Sequence, residues 1–271
     1  MPAKPLIIST SLFGDSVKHR GGALQSALEL KALQAKYTTL ALVVYFDRTV
    51  PASTLQALGS FDFVQLVSVE SDWASTGTLG SLYRFLAFQE YQHAAMIITW
   101  DLDSSFSSGL FTSLIENGQT HSAIFCFMRK LNPPRARLFN ADCWATWPER
   151  EIKYENLSND VTRSLANYFK RHHDTSYGCD ERALRQLVSE LFLRPKTESR
   201  LLKIISENFE WQRQAIDYAA AQREPMTDLH FGALEQQLAA QTHFVEPHRT
   251  VRLTDFGFPS LATLGEPEQS K

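Results

Sequence analysis

The sequence predicts an α/β protein with a mostly parallel central sheet flanked by helices. Three observations carry this. Short apolar runs alternate with stretches of helical period through about residue 147, as expected when parallel strands are joined by helical crossovers. Runs such as Thr39 to Phe46 (TLALVVYF) are β-branched, aromatic and almost uninterrupted, which suits strands buried on both faces. Beyond residue 147 the apolar residues recur mainly at helical spacing, so a helical C-terminal region is expected to pack against the sheet.

The elements follow in order. Pro5 precedes Leu6-Ile7-Ile8, a short first strand, and a polar loop from Ser9 to Arg20 contains Gly14. Gly21-Gly22 opens a helix to about Lys36, with Ala23, Leu24, Ala27, Leu28 and Leu33 at helical spacing. Thr39 to Phe46 is the second strand. Pro51 suits the first turn of a short helix through Leu58, where its missing N–H costs nothing. Phe61 to Val69 is the third strand, followed by a polar loop from Glu70 to Thr78. Thr78 or Ser81 caps a helix carrying Leu82, Phe85, Leu86 and Phe88, and Ala94 to Trp100 is the next strand. Ser107 caps a helix to Asn117 that Gly118 ends, and Ser122 to Met128 is another strand. Asn132-Pro133-Pro134 begins a loop, and the aromatic-rich stretch Ala141 to Trp147 ends at Pro148. Ser158-Asn159-Asp160 caps a helix to Lys170. Further helices run over about 180–192 and 197–222, and the polar tail 262–271 is expected to be disordered.

A length of 271 residues allows one large α/β domain, or one domain with an appended lobe, and 44% hydrophobic residues supply a sizeable core. The net charge of −3, with Lys and Arg scattered, gives no electrostatic case for nucleic acid as a partner. Cys126, Cys143 and Cys179 are odd in number and form no CxxC pair, so neither a disulfide framework nor a cysteine zinc site is favoured. No run approaches the roughly 20 apolar residues of a membrane span, and MPAKPLIIST lacks the apolar stretch of a signal peptide. The expected location is the cytoplasm.

The stretch Ala94 to Ser105 (AAMIITWDLDSS) is the one around which the chemistry is organised. An apolar strand runs into Asp101-Leu102-Asp103. In extended backbone the i, i+2 spacing puts both carboxylates on one side and sends Leu102 to the other, into the core. Ligands of open α/β sheets bind beyond the carboxyl ends of the strands. Two carboxylates aimed at one spot repel unless a cation or proton lies between them. Mg²⁺ or Mn²⁺ held by Asp101 and Asp103 together with phosphate oxygens satisfies both conditions. The competing reading is structural, since Asp at a strand end also serves the following turn.

Several segments together resemble the GT-A-type glycosyltransferases, and more narrowly a group of bacterial and viral members with an Asp-x-Asp-Ser motif. LYRFLAFQEYQHAAMIITWDLDSSFSS resembles the donor-site region, IISTSLFGDSVKHRGG the first nucleotide-binding loop, and SYGCDERAL a later Tyr-Gly-x-Asp element near the acceptor. The likeness spans roughly residues 6 to 190 as islands. It implies a GT-A-like catalytic domain over 1–195, with 196–261 as a helical extension packed on it and 262–271 as a tail. It also implies a nucleotide-sugar donor, with a UDP-sugar favoured, a carbohydrate, protein or lipid-linked acceptor, and Mn²⁺ or Mg²⁺ on Asp101 and Asp103. Ser11, Gly14, Arg84 and Ser104 are implied on the donor side, with Ser11 and Gly14 in the loop after the first strand. His243 and His248 are candidate third ligands because late histidines serve in some relatives. Lys18-His19 departs from the group, which tends to have an aromatic residue there, and ADCWATW lacks the glycine of the corresponding acceptor loop.

Each site residue has a plainer reading beside this one. Arg84 either pairs with the diphosphate, holds an aspartate, or makes a surface ion pair on a helix. Asp180 is either an N-cap or the group that binds or deprotonates an acceptor hydroxyl. Trp144 and Trp147 either stack on a sugar or pack into a core or interface. His172-His173-Asp174 reads as a solvated helix end, because adjacent helical residues do not face one another. Two alternative functions remain open. One is a non-catalytic nucleotide- or carbohydrate-binding module; the other is a haloacid dehalogenase-type phosphatase with Asp101 as nucleophile.

Overall fold

A computed structural model describes residues 3–71, 80–102, 111–112, 114–115, 124–126, 143–148, 157–172, 179–180, 182–184, 186, 228–242 and 246–260. Its frame is a seven-stranded sheet in the order β5-β6-β4-β1-β2-β3-β7. The strands are β1 (Leu6–Leu12), β2 (Leu40–Phe46), β3 (Val64–Glu70), β4 (Met96–Trp100), β5 (Ile124–Cys126), β6 (Cys143–Thr146) and β7 (Arg249–Arg252). The five strands from β4 to β7 in that order pair in parallel, while β6 runs antiparallel to both β4 and β5.

Helices cover both faces, as the alternation of apolar runs predicts. On one face lie α1 (Val17–Gln34), α2 (Ala52–Leu58) and a C-terminal helix, α5 (Asp228–Ala239), packed on Ile8, Leu42, Val44, Met96 and Ile98. On the other lie a 3-10 helix (Gly80–Leu86), α3 (Ala87–Glu90) and α4 (Leu157–His172), packed on Ile7, Val43, Tyr45 and Ile97. Successive strand residues thus feed opposite cores, the two-residue period of a strand covered on both sides.

The structure departs from the sequence expectations in instructive places. β1 continues through Ser9-Thr10-Ser11 to Leu12, where polarity suggested a loop. These hydroxyls are buried and bonded to neighbouring backbone, so they behave as core residues. The helix after β1 begins at Val17 rather than at Gly21-Gly22. Gly22 lies inside it because α1 presses on the end of β4: a Cβ there would overlap the Leu102 carbonyl oxygen and lie 3.0 Å from its carbon. The Leu82–Phe88 segment is largely 3-10, with only its last residues α-helical.

The C-terminal region is not simply helical. Arg249–Arg252 forms the edge strand β7, parallel to β3 with Val67 opposite Arg249. Four residues of RTVR carry too little apolar pattern to be read as a strand; the unpaired edge of β3 supplies the partner. The expected helix over 197–222 and the tail 262–271 lie outside the described residues. Among those described, no helix is long and apolar enough to cross a membrane.

α5 is fastened by a polar contact. Glu235, buried, accepts from Thr54 Oγ1 of α2 and from Arg20 Nη1 of α1 at 3.3 Å, while Arg20 lies over the Phe231 ring at 4.7 Å. Glu235→Ala is expected to destabilise the fold by about 1–3 kcal/mol, since the buried Thr54 hydroxyl and the half-buried Arg20 lose an acceptor. Urea denaturation checks this, and a change within experimental error would show that apolar packing alone holds α5.

Candidate active site

Three elements converge at the carboxyl end of β4. The strand is buried throughout and ends at Trp100, so Asp101 emerges at the sheet edge. Leu102, in the turn that follows, is buried in the same core as Trp100 and Leu24. The Asp101 side chain is 32% exposed. Asp103 and Ser104, the rest of the expected motif, lie outside the described residues.

Arg84 comes from the last turn of the 3-10 helix and is 3% exposed. Its Nη2 donates to Asp180 Oδ2 at 3.0 Å, and its Nη1 lies 3.8 Å from Asp101 Oδ2. The surface ion pair is therefore ruled out, and of the remaining readings the geometry displays the aspartate-holding one. Asp180, itself buried, is helical, as is the buried Cys179 before it. Arg84 thus draws together two carboxylates 79 positions apart in the chain, a buried guanidinium using its fork on two acids. The contact to Asp180 is tight and that to Asp101 loose.

β1 supplies the support. Ser9 Oγ donates to the Arg84 carbonyl at 2.7 Å, and the Arg84 N–H donates to Ser11 Oγ at 2.7 Å. Ser11 is therefore a strand residue engaged with the Arg84 backbone, not a member of the following loop. Gly14 does lie in that loop. Its φ of +71° is the left-handed region glycine adopts without strain, and its N–H donates to Thr49 Oγ1 at 2.6 Å. Next to it the Phe13 ring sits 5.7 Å from His19, and Phe13 packs so closely on Gly80 that any side chain there would collide.

The tryptophans divide. Trp147 is 4% exposed and belongs to the core around α1 and β4, so it is not placed to stack on a sugar. A large aromatic ring has more to gain from that apolar burial than from solvent. Trp144 lies in β6 opposite Thr99 of β4, one strand from the site. Its side chain is outside the described set. His248 is also displaced: its Nδ1 accepts from the Leu66 N–H at 3.1 Å and its own N–H donates to the Leu66 carbonyl at 2.9 Å. That ties it to β3 at the start of β7, four strands and roughly 19 Å from β4, too far to be a third ligand. His243, His173 and Asp174 lie outside the described residues. His172 is exposed at the end of α4, its ring 4.6 Å from Tyr168, as a solvated helix end would be.

A cavity of about 580 Å³ opens at the same edge of the sheet, beyond β2, β3 and β7. Asp47, Glu70, Tyr83, Arg252 and Thr254 are among its walls, and Tyr83 precedes Arg84 in the 3-10 helix. Burial, and then the Asp47 carboxylate, push the Tyr83 hydroxyl well above its usual range, so it stays a neutral hydrogen-bonding group. Asp47 accepts from the Thr49 N–H at 2.9 Å, which shapes the turn after β2. The sequence reading missed this cavity. Its walls come from four separated segments, and the Phe46-Asp47 strand end was the one local sign.

The donor chemistry for a metal can be tested on this geometry. Mg²⁺ or Mn²⁺ takes one or two carboxylates and fills its shell with water and phosphate oxygens. Asp101 is a partly exposed carboxylate at a sheet edge and fits that role. Among the described residues no group of three or more His, Cys, Asp or Glu comes together.

No family model matches the sequence, and no curated protein does. Among solved structures, the chain is similar to the galactosyltransferase LgtC in complex with donor and acceptor sugar analogs. That match has a TM-score of 0.45 and 12% identity, covering 89% of this chain and 97% of that one. It is also similar to the glycosyltransferase GlyE of Streptococcus pneumoniae TIGR4, with a TM-score of 0.41 and 14% identity over 68% of this chain. The apo form of GlyE matches with a TM-score of 0.39 and 13% identity over 69% of this chain. The chain spans 43% of the GlyE chain in the first of these matches and 44% in the second.

Proposed function

We propose that this protein is a metal-dependent glycosyltransferase that moves a sugar from a nucleotide-diphosphate donor, a UDP-sugar being favoured, to a carbohydrate, protein or lipid-linked acceptor. The observation carrying this reading is the buried Arg84 that holds Asp180 and reaches Asp101 at the carboxyl edge of a parallel sheet. Asp101 and Asp103 would hold Mg²⁺ or Mn²⁺. Such a cation supplies Lewis-acid stabilisation of charge on the leaving diphosphate. The chain's own residues do the rest. Arg84 fixes Asp180 in one orientation and keeps positive charge next to Asp101. Asp180, with Oδ2 committed to Arg84, acts by accepting a hydrogen bond from a sugar hydroxyl, which orients the reacting partner. The cavity beside Tyr83 and Asp47 has the volume and polar groups to take the nucleoside. A cytoplasmic location suits three cysteines that lie far apart in the sequence and form no CxxC pair.

The test is thermal-shift and calorimetric binding of UDP-, GDP- and CMP-sugars with and without Mn²⁺, followed by donor hydrolysis and transfer. Wild-type protein is expected to bind one of these donors only when the cation is present. In Asp101→Asn the cation-dependent part of the affinity is expected to vanish while the melting temperature holds. Equal affinity in the variant, with Mn²⁺ present, would remove the metal from Asp101 and with it this reading.

A further inference from the structure

Arg84 is held through its own backbone by the first strand. Ser9 Oγ donates to its carbonyl at 2.7 Å, and its N–H donates to Ser11 Oγ at 2.7 Å. Ser11 Oγ in turn donates to the Ser81 carbonyl at 3.3 Å. A 3-10 turn joins the N–H of one residue to the carbonyl three before it, which here is the pair Arg84 and Ser81. The Ser11 hydroxyl therefore bridges the two groups whose separation sets the pitch of the turn that aims Arg84. Ser9 is 0% exposed and Ser11 is 6% exposed, so both lie beneath the site rather than in it.

Thr10 points to the opposite face, and its Oγ1 donates to the Trp100 carbonyl at 2.9 Å, one residue before Asp101. Three consecutive hydroxyls thus hold both sides of the ion pair: Ser9 and Ser11 the guanidinium, Thr10 the strand end that carries the acid. The alternation of side chains along a strand is what lets one short segment do this. A buried serine pair that only satisfied stray carbonyls would need no such match to one residue's N–H and carbonyl together.

We propose that Ser9 and Ser11 are positioning residues that set the Arg84 guanidinium against Asp180 and Asp101, with Thr10 fixing the Asp101 side. Only the ligand readout of the test rests on the proposed function.

The decisive measurement is a double-variant cycle in urea on the full chain, using Ser11→Ala and Asp180→Asn. Once Ser11 no longer aims Arg84, the loss of the Asp180 charge should matter less, so the double variant should be destabilised by less than the sum of the single ones. Ser11→Ala combined with Thr54→Ala, on the other face of the sheet, should simply add. Additivity of Ser11→Ala with Asp180→Asn would overturn the proposal. Ser9→Ala, which removes one bond instead of two, gives the same cycle should Ser11→Ala fail to fold. In the ligand readout, Ser11→Ala should weaken Mn²⁺-dependent UDP binding about 10–100-fold, as losses of supporting hydrogen bonds at metal sites do, while uridine affinity is unchanged. Equal weakening of UDP and uridine would count against positioning. Absence of Mn²⁺-dependent UDP binding in the wild type would instead refute the proposed function, and the urea cycle would still decide the role of Ser11.

Discussion

Arg84→Met should be the most damaging single change in the protein. Methionine preserves length and apolar volume but removes the guanidinium that meets Asp180, 7% exposed, at 3.0 Å and lies 3.8 Å from Asp101. Removing one partner of a buried ion pair costs about 3–5 kcal/mol, because the other charge stays desolvated and unpaired. Urea denaturation should show a loss of this size, and cation-dependent nucleotide-diphosphate binding should fall below detection. Arg84→Lys should recover part of the stability and little of the binding, since an ammonium is a point charge and cannot serve two carboxylates with a planar fork. Stability of Arg84→Met within about 1 kcal/mol of wild type would mean that Asp180 is held by other groups.

Gly22→Ala should be nearly as harmful, although Gly22 is part of helix α1 and carries no chemistry. Its added Cβ would meet the Leu102 carbonyl, which is backbone and can move only by taking the strand end with it. Overpacking of this kind costs about 1–3 kcal/mol. The larger consequence is at the site, because Leu102 stands directly after Asp101. A displacement near 1 Å of a positioned group costs about 10²-fold in rate. Transfer or donor hydrolysis should therefore drop by about that factor, with cation-dependent nucleotide affinity lowered as well. Retained activity would show that α1 gives way in place of the strand, and that the close contact is incidental to the site.

The features legible without the structure share one property: they are local. The apolar runs at Leu40–Phe46 and Met96–Trp100 are buried on both faces and announce themselves as strands. The position of Asp101 just beyond such a run was legible as well, and Leu102 is buried as expected, though in a turn and not in extended backbone. The two-faced α/β architecture follows from the alternation of such runs with helical spacing.

The features that needed the tertiary structure depend on a partner distant in the chain. Ser9-Thr10-Ser11 reads as a loop because hydroxyls are polar. It is strand because the backbone groups of Arg84, Ser81 and Trp100 accept or supply the bonds that make burial affordable. Arg249–Arg252 has no strand pattern and becomes one because β3 offers an open edge. Trp147 could equally face a sugar or a core until α1 and β4 close around it, and His248 could ligate a metal until β3 claims its ring nitrogen. Asp180 illustrates the division most clearly. The sequence by itself placed an aspartate two residues after Gly178 in a stretch of helical pattern, which suits a cap as well as a catalyst. Only the fold decided that a buried guanidinium from residue 84 would meet it at 3.0 Å, because an ion pair depends on distance in space and the chain records only distance along itself.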